Sequence, residues 1–542
     1  MSSLTAGGLP GGIITTSISP AQKAEAVTYR VLAPSAYHAA SSSRELSGFH
    51  PMLRSADSEI MPSRDKIVAR SRDIDRNNGL IYGGIDRRVD AVVGANIWLK
   101  CKPDYAAMGQ TPEWADQWSV QVESLFRIWG NSSRFLCDVE RNMQFGGLVR
   151  LAYYHYVREG QACAPIYYIP DRGGMFGTAV LVLDPDRLGN PDGKPDDATL
   201  RGGVALDQYG AAIGYYVRNS HPNDLNSSWD AHKWTFVPRE SNSGRPLFVH
   251  AVDRRRAHQR SAVGRLASVM SRIKMQGLSD KAELEAAISN AIFGLYATSA
   301  RSSAEMGQSM APVDEGIGPG EDVRADFYEQ SDLTFGGVRV AVLPGTDEIK
   351  TISNERASNN FVAFQNYILR AIASALGLSY EQLSNDWSGI NYSSARTLLN
   401  EIWRGLLADR HLFTQAFCTP IFAAWLEEAV ALDLVEIPGG KANFYLFRDA
   451  LTQCDWIGPG RGYVDPLKES LAAEKRMELG MSALPDEAAE QGNDWRTNLW
   501  DQKRVAVERE KYGLPDPQQQ KAQGASRQQQ AQNDREEADQ QQ

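Results

Sequence analysis

The chain has 542 residues, 42% of them hydrophobic and 23% charged, with a formal net charge of −10. That length exceeds one ordinary domain and supports a large core, and the apolar-to-charged balance is that of a soluble globular protein. The acidic balance excludes a protein that grips nucleic acid over most of its surface, though not one that lets it slide past, because an acidic or neutral wall leaves phosphates no deep binding minima.

Residues 1–60 are rich in Ser, Ala, Gly and Pro with little hydrophobic periodicity, and a flexible segment is expected there. From Pro62 the pattern becomes helical. Ile67, Ile74, Ile85, Val89 and Val92 supply a buried face and alternating Arg and Asp a solvated one; Gly94 breaks the helix and Ile97, Trp98 and Leu99 begin a strand. Pro112 opens a further helix with Trp114, Trp118, Val122, Leu125 and Trp129 on one stripe. A tryptophan stripe is more often core than ligand platform.

Residues 145–218 are expected to carry most of the β structure. YHYVREGQACAPIYYIP and GTAVLVLDPDRL alternate or form short aromatic and β-branched runs, and RGGVALDQYGAAIGYYVRNSHPND reads as two strands joined by a turn at Asp207 to Gly210. The next stretch is the most basic, with Arg254, Arg255, Arg256, Arg260, Arg265, Arg272 and Lys274 close together. It is read either as a patch contacting phosphate or as ion pairing within or between chains; the many carboxylates of an acidic chain favour the second.

Ser279 with Asp280 is expected to start an Ala-rich helix over 279–300, whose small residues permit close helix contacts. Over 301–352 Gly and Pro punctuate the chain and FGGVRVAVLPGTDEIKTI reads as short strands and turns. A helix follows, with Phe361, Phe364, Ile368, Ile372 and Leu376 on one face, Asn359 or Asn360 as cap and Gly377 as terminator. The polar loop SYEQLSNDWSGINY comes next. Ser393 or Ser394 then caps a helix striped by Leu398, Leu399, Ile402, Trp403, Leu406 and Leu407. On physics alone this is a helical hairpin with a solvated turn, or a loop that uses Trp387 and Tyr392 to touch something. Residues 412–434 read as a helix kinked at Pro420, a last helix runs to about Tyr512, and the Gln-rich stretch beyond Pro515 reads as disordered.

Chemistry-bearing motifs are few. Gly440-Lys441 is followed by Ala442, without the hydroxyl that a phosphate-binding loop uses to hold magnesium. There is no H-E-x-x-H, no paired His at metal spacing and no nucleophile elbow, and a Cys163–His155 nucleophile–base pair is a remote reading. No catalytic residue, metal or cofactor is therefore expected. The five cysteines (Cys101, Cys137, Cys163, Cys418, Cys454) are odd in number, widely spaced and without a CxxC pair, and are read as reduced, mostly buried thiols. No signal-peptide pattern is apparent, and the most apolar run, Ala416 to Val435, is broken by Pro420, Glu427, Glu428 and Asp433, so no membrane span is expected.

The stretch Arg370 to Asp386 carries R-x-I-A-x-x-L-G-x-S-Y-E-x-L-S-x-D, and Asn391 to Arg396 reads N-Y-S-S-A-R. Both resemble the most characteristic segment of the lambda-type family of tailed-bacteriophage portal proteins. Arg76 to Gly94 is similar to a passage ahead of that family's wing sheet, and Trp456 to Glu469 matches its W-x-x-P-x-x-x-x-x-D-P-x-K-E pattern. Departures exist: Ala205, Ala211 and Gly214 stand for Glu, Arg and Ala in its hairpin, and His258-Gln259-Arg260-Ser261 replaces Gly-Gln-x-Arg-Gly.

The resemblance spans roughly Arg64 to Glu510. It implies an α+β portal fold: a wing of helices and strands (α/β) over 61–275, a first stem helix over 276–302, a small β-containing clip over 303–353 and a second stem helix over 354–377. A channel loop over 378–393 and wing and crown helices over 394–512 complete it, before the tail at 513–542. It further implies a ring, usually a homododecamer, at one capsid vertex of a virion assembled in the host cytoplasm. Double-stranded DNA would be packaged and ejected through the ring without sequence preference. The terminase large subunit, the major capsid or scaffold protein and the head–tail adaptor proteins would be its partners. On this view Asn385, Asp386, Trp387, Ser388, Ile390, Asn391 and Tyr392 line the DNA channel, and no membrane is involved. The alternatives are another ring-forming virion connector or baseplate protein, and a DNA-processing hydrolase.

Overall fold

The computed structural model describes residues 43–221, 233–296, 334–335, 338–339, 355–462 and 465–514. The chain divides into two compact units, Met1–Ser55 and Ala56–Gln542. In the first, the described residues form a turn closed by the Leu46 and Phe49 amides on the Ser43 and Leu46 carbonyls. The expected disorder of the remaining N-terminal residues and of the Gln-rich tail lies outside the described residues.

The second unit begins with α1 (Ala56–Asn77) and α2 (Gly79–Val92). The helix therefore starts before the expected Pro62, which is accommodated inside it. Asn78 caps α2 by accepting from the Leu80 and Ile81 amides, and Gly94 just beyond takes a left-handed conformation. Strand β1 (Trp98–Cys101) follows, then α3 (Pro112–Gly130), capped by Thr111 with Pro112 in its first turn.

Residues 145–159 correct the expectation of β structure: they form α4 (Phe145–Glu159), ended by a left-handed Gly160. Its aromatic and β-branched residues suit a strand by propensity. Spacing decides, because Phe145, Leu148, Val149, Ala152, Tyr153, Tyr156 and Val157 all fall on one buried helical face.

The strands are β2 (Gln161–Tyr168), β3 (Thr178–Val180), β4 (Leu200–Arg201), β5 (Val204–Leu206), β6 (Ala212–Arg218), β7 (Trp234–Pro238) and β8 (Phe248–Val252). They form a three-stranded sheet ordered β3-β2-β8 and a four-stranded sheet ordered β4-β5-β6-β7, with every strand pair antiparallel. The turn expected at Asp207 to Gly210 joins β5 to β6, closed by the Gly210 amide on the Asp207 carbonyl.

Helix α5 (Met270–Tyr296) begins nine residues before the expected Ser279 start, which lies inside it. In the region expected to be a clip, the described residues are two short paired strands, β9 (Thr334–Phe335) and β10 (Val338–Arg339). Helix α6 (Glu355–Leu376) starts ahead of Asn359 and Asn360, so neither is its cap, while Gly377 ends it in a left-handed conformation as expected.

The short α7 (Tyr380–Ser384) and the long α8 (Tyr392–Ala431) follow. Helix α8 runs continuously where two helices were expected, with Pro420 inside it. Its cap is Asn391, which accepts from the Ser394 amide, and not Ser393 or Ser394. The chain closes with α9 (Ala442–Leu451), β11 (Cys454–Ile457), α10 (Pro466–Glu478), α11 (Leu484–Glu490) and α12 (Trp495–Lys511). Strand β11 pairs antiparallel with β1, bringing residues more than 350 positions apart into one ladder. Helices and antiparallel strands in separate runs make this an α+β fold.

Helix α8 is the axis of the main core. Phe413, Phe417, Ile421, Phe422, Trp425 and Leu426 are completely buried among residues of α2, α3, α4 and α6. The expected tryptophan stripe packs here: Trp118 and Trp129 are buried, and Phe126 between them meets Phe145, Phe422 and Trp425 edge-on. Glu428 bolts α8 to β3, its buried carboxylate accepting from the Gly177 amide at 2.6 Å and the Thr178 amide at 2.9 Å. A satellite core of Leu183, Leu188, Val204, Leu206, Tyr215, Val217 and Phe248 sits under the four-stranded sheet. All five cysteines are free and buried, as expected.

Candidate functional site

The polar stretch between α6 and α8 is an exposed loop on a rigid base. The base is α7, whose Ser379 and Gln382 cap one another: the Ser379 Oγ accepts from the Gln382 amide and the Gln382 side chain from the Ser379 amide. Leu376, Leu378 and Leu383 are buried beneath it. Two neighbouring arginines of α2 reach up to it. Arg87 donates to the Leu383 carbonyl at 3.0 Å, and Arg88 donates to the Leu376 carbonyl, one of the last acceptors of α6 that has no partner within the helix.

The base rests on close helix packing. A Cβ built on Gly84 would lie 2.7 Å from Leu383 Cδ1 and 2.9 Å from Leu376 Cδ1, so α2 approaches the loop base through a residue without a side chain.

Beyond Asn385, which is left-handed at φ 59°, the chain emerges. Asn385, Asp386, Trp387, Ser388 and Gly389 are exposed, Ile390 is half-buried and Asn391 is exposed. The loop orders itself locally: Asp386 Oδ1 accepts from the Ser388 hydroxyl at 2.6 Å and amide at 3.1 Å, which holds its carboxyl below the usual range. Trp387 borders a groove of about 400 Å³ shared with Leu399, Trp403 and Leu406 of α8 and with Pro459. Six of the seven residues expected in the channel loop are thus consecutive or nearly so on one projection. Tyr392 is the first residue of α8.

The five expected basic residues do not form one free patch. Arg255 pairs with Asp253 at 2.9 Å and Arg256 with Glu59 at 2.5 Å. Arg260 donates to the Gly210 carbonyl, and Arg265 is held by Asp409 at 2.8 Å. Arg254 is exposed.

The Cys163–His155 pair is not assembled as a nucleophile and base. Burial pushes the Cys163 thiol up to about 12, and His155 Nδ1 lies against Glu159 instead. Motif reading missed a group that the fold does assemble: His155, Glu159 and Asp184 have ligand atoms all within 4.8 Å of one another. Its sequence signal is the four-residue spacing of His155 and Glu159, which puts both on one helix face.

A family model described as phage portal protein, lambda family, matches residues 42–410. The chain belongs to that family. The matched span includes the exposed loop, its α7 base and both of the α2 arginines beneath it. Among relatives, this portal-family chain is 30% identical over 483 residues to the portal protein of Escherichia phage N15, covering 87% of this chain and 90% of that one. It is 29% identical over 482 residues to portal protein B of Escherichia phage lambda, covering 87% and 89%. Among solved structures it is similar to a chain from the neck of a native GTA particle computed with C12 symmetry, at TM-score 0.36 and 10% identity, covering 78% of this chain and 93% of that one. Among the described residues, no helix is long and apolar enough to cross a membrane.

Proposed function

We propose that this portal-family chain assembles as a ring, of about twelve copies on the resemblance, at one vertex of a virion capsid, and that double-stranded DNA enters and leaves through its centre. The observation that carries the reading is the loop from Asn385 to Asn391, exposed at its tip and clamped at its base. On this reading the loop residues of all copies, with Tyr392, form a constriction around DNA. Their contacts go to the backbone or groove surface and carry no sequence information.

A chain with net charge −10 suits that task, since few cations at the constriction let DNA slide without sticking. Residues 61–275 serve as wing, 276–302 and 354–377 as stem, 303–353 as clip and 394–512 as wing and crown. Support for a paired stem comes from α5 and α6, which touch through Gln365 and Asp280 at 2.5 Å and through Arg272 over the Tyr367 ring. The clip meets the terminase large subunit during packaging and head–tail adaptor proteins afterwards, and the wing meets the capsid. No catalytic step is assigned to the chain.

Deletion of Asp386 to Ile390 tests the reading. Rings should form as before, because the deleted residues bury little, while packaging or retention of DNA should fail. Normal packaging and retention by that variant would remove the loop's role.

A further inference from the structure

We propose that Cys101 and Cys454 are the two halves of an oxidisable dithiol, which closes as a disulfide across the β1–β11 ladder when hydrogen peroxide reaches it. The two cysteines are direct register partners, the last residue of β1 against the first of β11. Register alone does not make a bridge, because opposed residues in an antiparallel ladder alternate between hydrogen-bonded pairs and closer, non-hydrogen-bonded ones.

The backbone shows which kind this pair is. The Lys102 amide donates to the Gln453 carbonyl at 2.9 Å, one step outside the cysteines. The cysteines' own backbone groups turn to side chains. The Cys101 amide donates to Glu123 Oε1 at 2.9 Å and its carbonyl accepts from the Ser119 hydroxyl at 3.5 Å, while the Cys454 carbonyl accepts from the Gln415 side chain at 3.2 Å. Cys101 and Cys454 are therefore a non-hydrogen-bonded pair, the class whose Cα atoms stand about 4.5 Å apart with both side chains on one face. A disulfide spans Cα separations of about 4.4–6.8 Å. The other cysteines are placed differently: Cys163 faces His250 in its ladder, Cys137 sets its thiol against the Gly130 and Met143 carbonyls, and Cys418 lies on α8.

Both cysteines are buried, at 4% and 7% exposure, but they sit at one end of a two-stranded ladder, where opening involves few residues. Burial raises both thiols, Cys454 to about 11 and Cys101 well above its ordinary value; Thr419 Oγ1, 3.7 Å from Cys454 Sγ, eases ionisation of Cys454. The Cys454 thiolate attacks one peroxide oxygen, the O–O bond breaks, hydroxide leaves, and Cys454 holds a sulfenic acid. The Cys101 thiolate then attacks that sulfur, the S–O bond breaks and a second hydroxide leaves. Two thiols lose two electrons to the peroxide, and their two protons leave with the hydroxides as two waters.

The closed bridge fastens strands more than 350 positions apart. In a virion component it stays open inside a reducing cell and closes after release. That timing rests on the function proposed above; the bridge itself does not.

The test treats purified full-length protein with hydrogen peroxide, then alkylates it in denaturant and counts free thiols. The expected result is loss of two of the five thiols, restored by dithiothreitol, with a fall in intact mass of two hydrogen atoms and a Cys101–Cys454 cross-linked peptide. Closure should be faster at alkaline than at neutral pH, since only the thiolate reacts. Cys101→Ala and Cys454→Ala should each keep every remaining thiol, and the wild-type peptide map stands whether or not a variant folds. Five thiols surviving an exposure that fully oxidises added glutathione would overturn the proposal, as would a loss that dithiothreitol does not reverse. A Cys418–Cys454 peptide in place of the expected one would overturn it too, because Cys418 also lies near Cys454.

Discussion

Arg88 and Asp409 stand 2.7 Å apart at the root of the exposed loop, and through this pair the helix that enters the loop is tied to the helix that leaves it. The same guanidinium also donates to the Leu376 carbonyl at the end of α6, while the Asp409 carboxylate accepts from Arg265 and from the Tyr153 hydroxyl. Both side chains are almost wholly withdrawn from water, so the pair is worth little as a net gain, but loss of Asp409 leaves the buried Arg88 without a carboxylate, whereas loss of Arg88 leaves Asp409 still held by Arg265 and Tyr153. Replacing Asp409 by Asn should lower stability by about 3–5 kcal/mol, and replacing Arg88 by Met by less, because Arg265 and Tyr153 stay on the carboxylate. The double replacement should cost less than the sum. Denaturant unfolding of the four proteins measures the coupling, and strict additivity would show that the two groups do not act as a unit.

Close packing beneath the loop should be equally sensitive to added volume. At Gly84 even a Cβ falls within 3 Å of two leucine methyls, so a β-branched side chain must displace Leu376 and Leu383 together. Gly84→Val should cost about 1–3 kcal/mol and loosen the loop base. Hydrogen exchange at the Leu383 and Asn385 amides, compared with amides of the four-stranded sheet, checks whether the loosening stays local.

These two sites show what the sequence makes legible. The Arg370 to Asp386 run is a local pattern, and Gly377 at the end of α6 was readable from it because only a residue without a Cβ adopts φ near 65° at ease. The loop between two helices was readable for the same reason. The clamp was not: Arg88 and Asp409 are 321 residues apart, and no periodicity announces such a pair. Helix α4 shows the converse failure, since Tyr153, Tyr154 and Tyr156 favour strands by propensity while their burial follows a helical period set by the neighbours. His155 and Glu159 were in plain view four residues apart, but Asp184 joins them only through the turn after β3.

Acid should act first through His250. Packing that leaves this imidazole half-buried, with Arg254, Arg64 and Arg260 nearby, disfavours its charged form and pushes it down to about 3. The unfolded chain, with an ordinary value of about 6.5, then binds more protons than the folded one between those limits, so stability falls as pH drops below about 6.5. Asp409 acts later. Burial alone would raise its carboxyl, but Arg88, Arg265 and the Tyr153 hydroxyl hold it below the usual value, so its contribution is complete above about pH 4 and is lost as pH falls further. His250→Phe keeps an aromatic ring beside Tyr215 and should flatten the decline between pH 6.5 and 4.5. Unfolding midpoints of the two proteins across that range measure the difference, and parallel curves would contradict it.

Trp387 should separate function from stability. Trp387 is 43% exposed and its neighbours in the loop are polar, so Trp387→Ala should shift stability by less than about 1 kcal/mol. A loop that meets DNA should nevertheless lose an aromatic contact there, and the variant should package or retain less DNA in a plaque or DNA-protection assay. Unfolding curves that move by several kcal/mol would mark Trp387 as core instead.

A cryo-electron microscopy map of the purified full-length assembly would show directly where the loop lies. The expected result is a closed ring, of about twelve copies on the family resemblance, with Asn385 to Asn391 of every copy facing the central hole and Trp387 near its narrowest point. A ring with those residues on its outer surface, or a protein that stays monomeric under every assembly condition, would contradict it.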